Sequence, residues 1–68
     1  MTDDALQRDI MAVLRQGPTF ASDVARAVGA PPREVVEAVD VLCFAGNVYV
    51  AANGPNRLLA LTPKGEQT

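Results

Sequence analysis

Arg33, Glu37 and Asp40 recur at intervals of four and three residues, with Glu34 beside them, a spacing that ranges charged side chains along the outer side of a helix. The carboxylates can accept hydrogen bonds and attract cations, and the guanidinium of Arg33 can donate to anions. Paired carboxylates could also serve acid–base chemistry, but a chain of 68 residues leaves little room for a substrate cleft. There is no histidine and one cysteine, Cys43. A Ser–His or Cys–His nucleophile pair therefore lacks its base, a Cys/His metal site cannot be assembled, and no intrachain disulfide can form. The chain is expected not to be an enzyme and to need no metal or cofactor. Cys43 has Asp40 at i−3 and Asn47 at i+4. With no base in helical reach to lower its pKa, it is expected to be a half-buried structural thiol and not a redox switch.

The elements that would carry these side chains follow from pattern. A length of 68 residues makes one domain, 1–68, near the lower limit for folding on an apolar core alone. The apolar fraction of 49% suits a globular chain. Only Phe20, Phe44 and Tyr49 are aromatic, so the core must be aliphatic. No apolar run approaches the roughly 20 residues that span a bilayer, so no membrane contact is expected. The acidic start, Met-Thr-Asp-Asp, does not resemble a signal peptide, and a cytoplasmic protein is expected. Arginine outnumbers lysine five to one, the bias of a high-GC genome, and a prokaryotic source is expected.

Leu6, Ile10, Val13 and Leu14 predict a first helix over about 3–16, capped by Thr2 or Asp3 and stopped by Gly17-Pro18. Thr19-Phe20 leaves space for a short extended bridge or a third strand. Val24, Ala25 and Val28 predict a second helix over 21–28, with Ser22 or Asp23 in its first turn and Gly29 at its end. Pro31-Pro32 opens a third helix over about 31–45, with Val35, Val39 and Leu42 inward and Val36 and Cys43 flanking them. Strand-like stretches over about 47–51 and 57–62 enclose Asn53-Gly54, a hairpin signal. Thr62-Pro63-Lys64-Gly65-Glu66 is expected to end the fold, with the last residues frayed.

Three helices followed by a two-stranded hairpin form an α+β layout that resembles the winged helix-turn-helix. Leu42-x-x-x-Gly46-x-Val48 is similar to that family's passage from recognition helix to wing, and Leu59-x-Leu61-Thr62-Pro63-Lys64-Gly65 resembles the wing ending of MarR- and PadR-like regulators. Ser22-Asp23-Val24-Ala25 with Val28-Gly29 is similar to the helix-turn-helix itself. The layout from Gly17-Pro18 through Pro32-Arg33-Glu34-Val35 to Gly46-Asn47-Val48-Tyr49 also resembles the Z-alpha domain, which binds left-handed nucleic acid. That family's contact residues Asn, Arg and Tyr fall on Val36, Glu37 and Asp40, and its wing tryptophan has no counterpart. The resemblance implies the shape without the Z-form contacts.

It further implies a transcriptional regulator that binds double-stranded DNA, with the third helix in the major groove and the wing on the backbone. Arg26, Arg33 and Arg57 would grip phosphate, joined by Glu37 on the reading helix and Asn53 in the hairpin loop. Any homodimer would use helix one or the wing. Charge points another way. The third helix carries one base, Arg33, against three acids, Glu34, Glu37 and Asp40, while the remaining five bases and five acids cancel. The whole net charge of −2 thus lies on the presumed reading helix. The alternative is a protein-interaction module in which Glu34, Glu37 and Asp40 meet a basic protein partner. Val41 and Phe44 then either supply its apolar anchors or pack on the wing or first helix.

Overall fold

Leu6, Ile10 and Leu14 lie one helical turn apart and, with Met11, give the first segment a continuous apolar face. In the computed structural model, which describes residues 4–67, this segment is α1 (Asp4–Leu14), with Asp4 in its first turn complementing the helix dipole. The expected caps Thr2 and Asp3 lie outside the described residues. The helix stops two residues short of the expected Gln16. The N–H of Arg15 still reaches the carbonyl of Met11, but those of Gln16 and Gly17 tighten onto Val13 and Leu14 at 3.1 Å each. Gly17, at φ 136°, then turns the chain where no L side chain would readily follow.

Thr19–Phe20 forms β1, leading directly into α2 (Ala21–Val28). Ser22 and Asp23 lie in the first turn of α2, as expected; its N-cap is Phe20, which offers no side-chain acceptor. The free N–H groups are satisfied from across the chain instead. Ala21 N–H donates to the Arg57 carbonyl at 2.8 Å and Ser22 N–H to Asn56 Oδ1 at 3.4 Å, while Asn56 Nδ2 donates to Ser22 Oγ at 2.8 Å. Gly29 ends the helix in the left-handed conformation expected of it. Then α3 (Pro32–Phe44) begins with proline at its first position, where a missing N–H costs nothing, and Pro31 and Ala45 flank it as caps rather than helical residues.

Two longer strands follow, β2 (Val48–Ala52) and β3 (Leu58–Leu61). The sheet is antiparallel in the order β1-β3-β2, so the two-residue bridge is indeed a third strand: Thr19 faces Leu59, and Leu59 faces Val50 on its other side. The hairpin is present, but not as a tight Asn-Gly turn. Neither Asn53 nor Gly54 has positive φ, the register shifts between Val50 and Ala52, and residues 53–57 form a wide loop. Pro55 restrains Gly54 from the conformation the tight turn would need. The segment that ends the fold is itself helical: Pro63–Glu66 forms a short α4 capped by Thr62 Oγ1, which accepts from the Gly65 N–H at 3.1 Å.

The core gathers Ile10 and Leu14 from α1, Val24 and Ala25 from α2, Val35, Ala38, Val39 and Leu42 from α3, and Val48 and Leu59 from the sheet. It is aliphatic, as the composition requires: Phe20, Phe44 and Tyr49 are all exposed. No side chain among the described residues is both polar and fully buried, so the fold rests on packing around a three-helix corner closed by the sheet. Among these residues no helix is long and apolar enough to cross a membrane.

Candidate nucleic-acid interface

Burying Val35, Ala38, Val39 and Leu42 turns the opposite side of α3 to solvent. The outermost line, at intervals of four, three and four residues, is Arg33, Glu37, Asp40 and Phe44, all exposed. Phe44 is 97% accessible, so it does not pack on the wing or the first helix, while Val41 is 43% accessible and partly covered. The one ion pair between described residues is Arg26 with Asp23 at 3.9 Å on α2. Glu34, Glu37 and Asp40 therefore make no pair with a described cation.

Arg57 lies at the end of the loop between β2 and β3. Its backbone carbonyl holds the start of α2, and its side chain is close enough to lower the pKa of Cys43 on α3. The net effect at Cys43 is nevertheless upward, because burial dominates and the carboxylate of Asp40 adds to it. A basic neighbour invisible to helical spacing is thus supplied by the hairpin, and the thiol still stays protonated. Alkylation of Cys43 should titrate above the ordinary thiol range; Asp40→Asn should move that inflection down and Arg57→Ala up. A shift in the opposite sense for either variant, read from the pH dependence of the alkylation rate, would contradict that residue's electrostatic effect on Cys43.

Arg26, Val36, Pro32 and Ala25 line an apolar groove of about 500 Å³ between α2 and the start of α3. Arg33 is exposed in the first turn of α3 and Asn53 is exposed in the hairpin loop. Of the residues singled out from sequence, the fold lines Arg33, Glu37, Asp40 and Phe44 along one edge of α3, and Arg57 and Asp40 act on Cys43 with opposite sign. Among the described residues, no group of three or more His, Cys, Asp or Glu side chains is placed to hold a metal ion.

No protein-family model matches the chain, and no curated protein does. Solved structures do. The Zalpha domain of Carassius auratus PKZ, in complex with Z-DNA, superposes with a TM-score of 0.79 at 24% identity, over 85% of this chain and 94% of that one. A homodimeric winged helix-turn-helix DNA-binding domain from Mycobacterium bovis, of a possible ArsR-family transcriptional regulator, gives 0.82 at 17% identity over 93% and 58%. A MarR family regulator from Neisseria meningitidis gives 0.79 at 18% identity over 96% and 48%. The fold is a winged helix-turn-helix. The chain spans about half the length of those two regulators.

In winged-helix terms, α2 and α3 are the helix-turn-helix and β2–β3 the wing. The Leu-Thr-x-Lys-Gly ending now has a physical explanation: it clasps the wing root to the end of the third helix. Thr62 N–H donates to the Asn47 carbonyl at 3.0 Å, and Thr62 Oγ1 donates to the Gly46 carbonyl. Lys64 Nζ donates to the Ala45 carbonyl at 2.7 Å, placing a cation at the C-terminal end of a helix whose own last turn has no base. Gly46, at φ 84°, makes the reversal between α3 and the wing. These positioning residues, with Asn56, were not among the sites read from sequence. The recurrent ending was the available signal, but it marked an element boundary rather than a contact.

Proposed function

We propose that this chain is a small transcriptional regulator that binds double-stranded DNA, with α3 in the major groove and the wing on the phosphate backbone. The observation that carries this reading is the exposed outer face of α3, with Arg33 in its first turn. An α-helix presented in this way fits the roughly 12 Å width of the major groove. The described winged-helix structures of DNA-binding domains and regulators support it. Arg26, Arg33 and Arg57 are assigned to phosphates, and Asn53 to the backbone beside the wing. The duplex is taken as right-handed, since Val36, Glu37 and Asp40 stand where the Z-alpha pattern has Asn, Arg and Tyr. A homodimer, through α1 or the wing, would place two third helices on successive half-sites, and the homodimeric state of the Mycobacterium bovis domain supports it.

Because only three arginines are offered to phosphate, binding should depend on salt less than for strongly basic domains. Each phosphate contact contributes a slope of about −0.9 in log K against log salt, so affinity per protomer should fall roughly 40-fold between 50 and 200 mM salt. Arg33→Ala and Arg57→Ala should each flatten that slope by about one. Fluorescence anisotropy with a duplex pool measures this directly. No complex at low salt, even for a verified dimer, would contradict the reading.

The exposure of Phe44 and Val41 beside three unpaired acids favours a second reading, a docking face for a basic protein partner. The double reversal Glu37→Lys with Asp40→Lys separates the two. It should strengthen non-specific DNA binding if DNA is the ligand, and abolish capture of a basic partner if a protein is. A partner that survives the reversal would eliminate the second reading.

A further inference from the structure

We infer that a second copy of this chain docks on the outer face of α3, the two third helices packing antiparallel about a two-fold axis. Of the large apolar side chains exposed among the described residues, Val36, Val41 and Phe44 all lie on this one helix. Surface apolar residues with no partner are ordinarily scattered singly. Phe44 projects from the C-terminal end of α3 and is almost wholly accessible. At the opposite end, Pro32 and Val36 join Ala25 and Gly29 in walling the apolar groove of about 500 Å³, which has room for a phenyl ring. The helix thus carries a knob at its end and a hole at its start. An antiparallel two-fold brings each knob to the other copy's hole, the self-complementarity that a symmetric dimer requires.

Charge selects the register. Arg33 stands in the first turn of α3 and Asp40 in its second half, both exposed. Neither belongs to the one ion pair between described residues, Arg26 with Asp23. Setting Asp40 of one copy opposite Arg33 of the other sets Val41 opposite Pro32. Phe44, one helical turn further on, then passes the start of α3 and reaches the groove beside Gly29 and Ala25. The two-fold repeats every contact, so a single register forms two ion pairs and two apolar insertions. Arg26 lines the same groove, where a guanidinium suits an aromatic ring. A basic protein would meet Arg26 and Arg33 with like charge, whereas a second copy meets them with Phe44 and Asp40.

This register also brings the two Glu37 carboxylates close to the axis, where they repel. A standard interface covers about 800 Å² per partner, roughly a fifth of the 4415 Å² that this chain exposes. One face of a 13-residue helix does not supply that much. The dimer is therefore weak and dissociates on dilution. It is distinct from the α1 or wing contact of a DNA-bound pair. Its consequence for DNA rests on the reading above: the face it covers is the one assigned to the major groove, so self-association and duplex binding exclude each other.

Sedimentation equilibrium of the full chain over a range of concentrations tests this, and wild type should show a monomer–dimer equilibrium. Phe44→Ala should weaken the dimer by about 10-fold or more, as loss of a buried aromatic anchor does. Arg33→Asp and Asp40→Arg should each weaken it by about 3-fold or more, since two exposed pairs become repulsive. The double variant Arg33→Asp with Asp40→Arg should return to the wild-type constant. Asp40→Arg alone takes the net charge from −2 to zero, which would strengthen non-specific association, so its weakening reports the pair itself. Glu37→Gln should tighten the dimer. All four residues are exposed, so the fold is retained throughout. A chain that stays monomeric at every concentration, whether or not it takes up oligolysine, overturns the inference, as does a dimer that the double variant fails to restore. Either result leaves the DNA-binding reading intact. A chain that binds no duplex while these variants behave as expected removes that reading and leaves the dimer standing.

Discussion

Leu59→Ala should leave no folded population at room temperature. Leu59 is completely buried at the middle of the central strand β3, facing Thr19 on one side and Val50 on the other. It is the sheet's main contribution to a core whose remaining members are mostly helical valines, alanines and leucines. Truncating a buried leucine costs about 2–5 kcal/mol, including the cavity it leaves. A single core in a domain this small rarely supplies more than about 3–5 kcal/mol in all. The cost is comparable to the whole. Far-UV circular dichroism through a urea titration should show no folded baseline for Leu59→Ala. Phe44→Ala, which removes a larger but exposed side chain, should retain the wild-type transition. A cooperative transition for Leu59→Ala with an unchanged midpoint would mean that the sheet is not part of the core.

The second large effect falls on a residue with no side chain. A Cβ added at Gly65 would stand 3.0 Å from the carbonyl carbon of Asn47 and 3.3 Å from its Cα, with the carbonyl oxygen closer still. Every one of these atoms is backbone, so nothing can swing aside. Either α4 or the turn after α3 must move, and with it the bond from Thr62 N–H to Asn47. Overpacking of this kind costs about 1–3 kcal/mol, and each kcal/mol shifts Tm by roughly 4–8 °C in a domain of this size. Gly65→Ala should therefore lower Tm by about 10 °C or more. Lys64→Ala, which removes an exposed hydrogen bond from the same clasp, should lower it by much less. Scanning calorimetry decides, and equal small shifts for both variants would dissolve the clasp.

These two residues also show how far the sequence could be read. The three helices were legible because apolar residues at helical spacing bury one face, and because Gly17, Gly29 and Gly46 all adopt the positive φ that ends an element. The short α4 was not: Thr62 caps it locally, but Gly65 also packs against the Asn47 backbone, a contact eighteen residues apart that no local pattern encodes. The cap of α2 was missed for the same reason: its acceptors are Asn56 and the Arg57 carbonyl. Asn53-Gly54 was overread, because Pro55 and the irregular register after Val50 outweigh the dipeptide's own preference. Within the candidate site, the stripe of Arg33, Glu37 and Asp40 followed from spacing alone. The accessibility of Phe44 and the nearness of Arg57 to Cys43 required the tertiary structure.

Amide chemical-shift mapping on the ¹⁵N-labelled chain, titrated with a duplex DNA pool at low salt, tests the central claim most directly. The account predicts that shifts concentrate on the outer face of α3, from Arg33 to Phe44, and on the wing at Asn53 and Arg57, while the buried face of α1 at Ile10 and Leu14 stays unmoved. Spectra unchanged by any duplex, or shifts confined to α1, would contradict it.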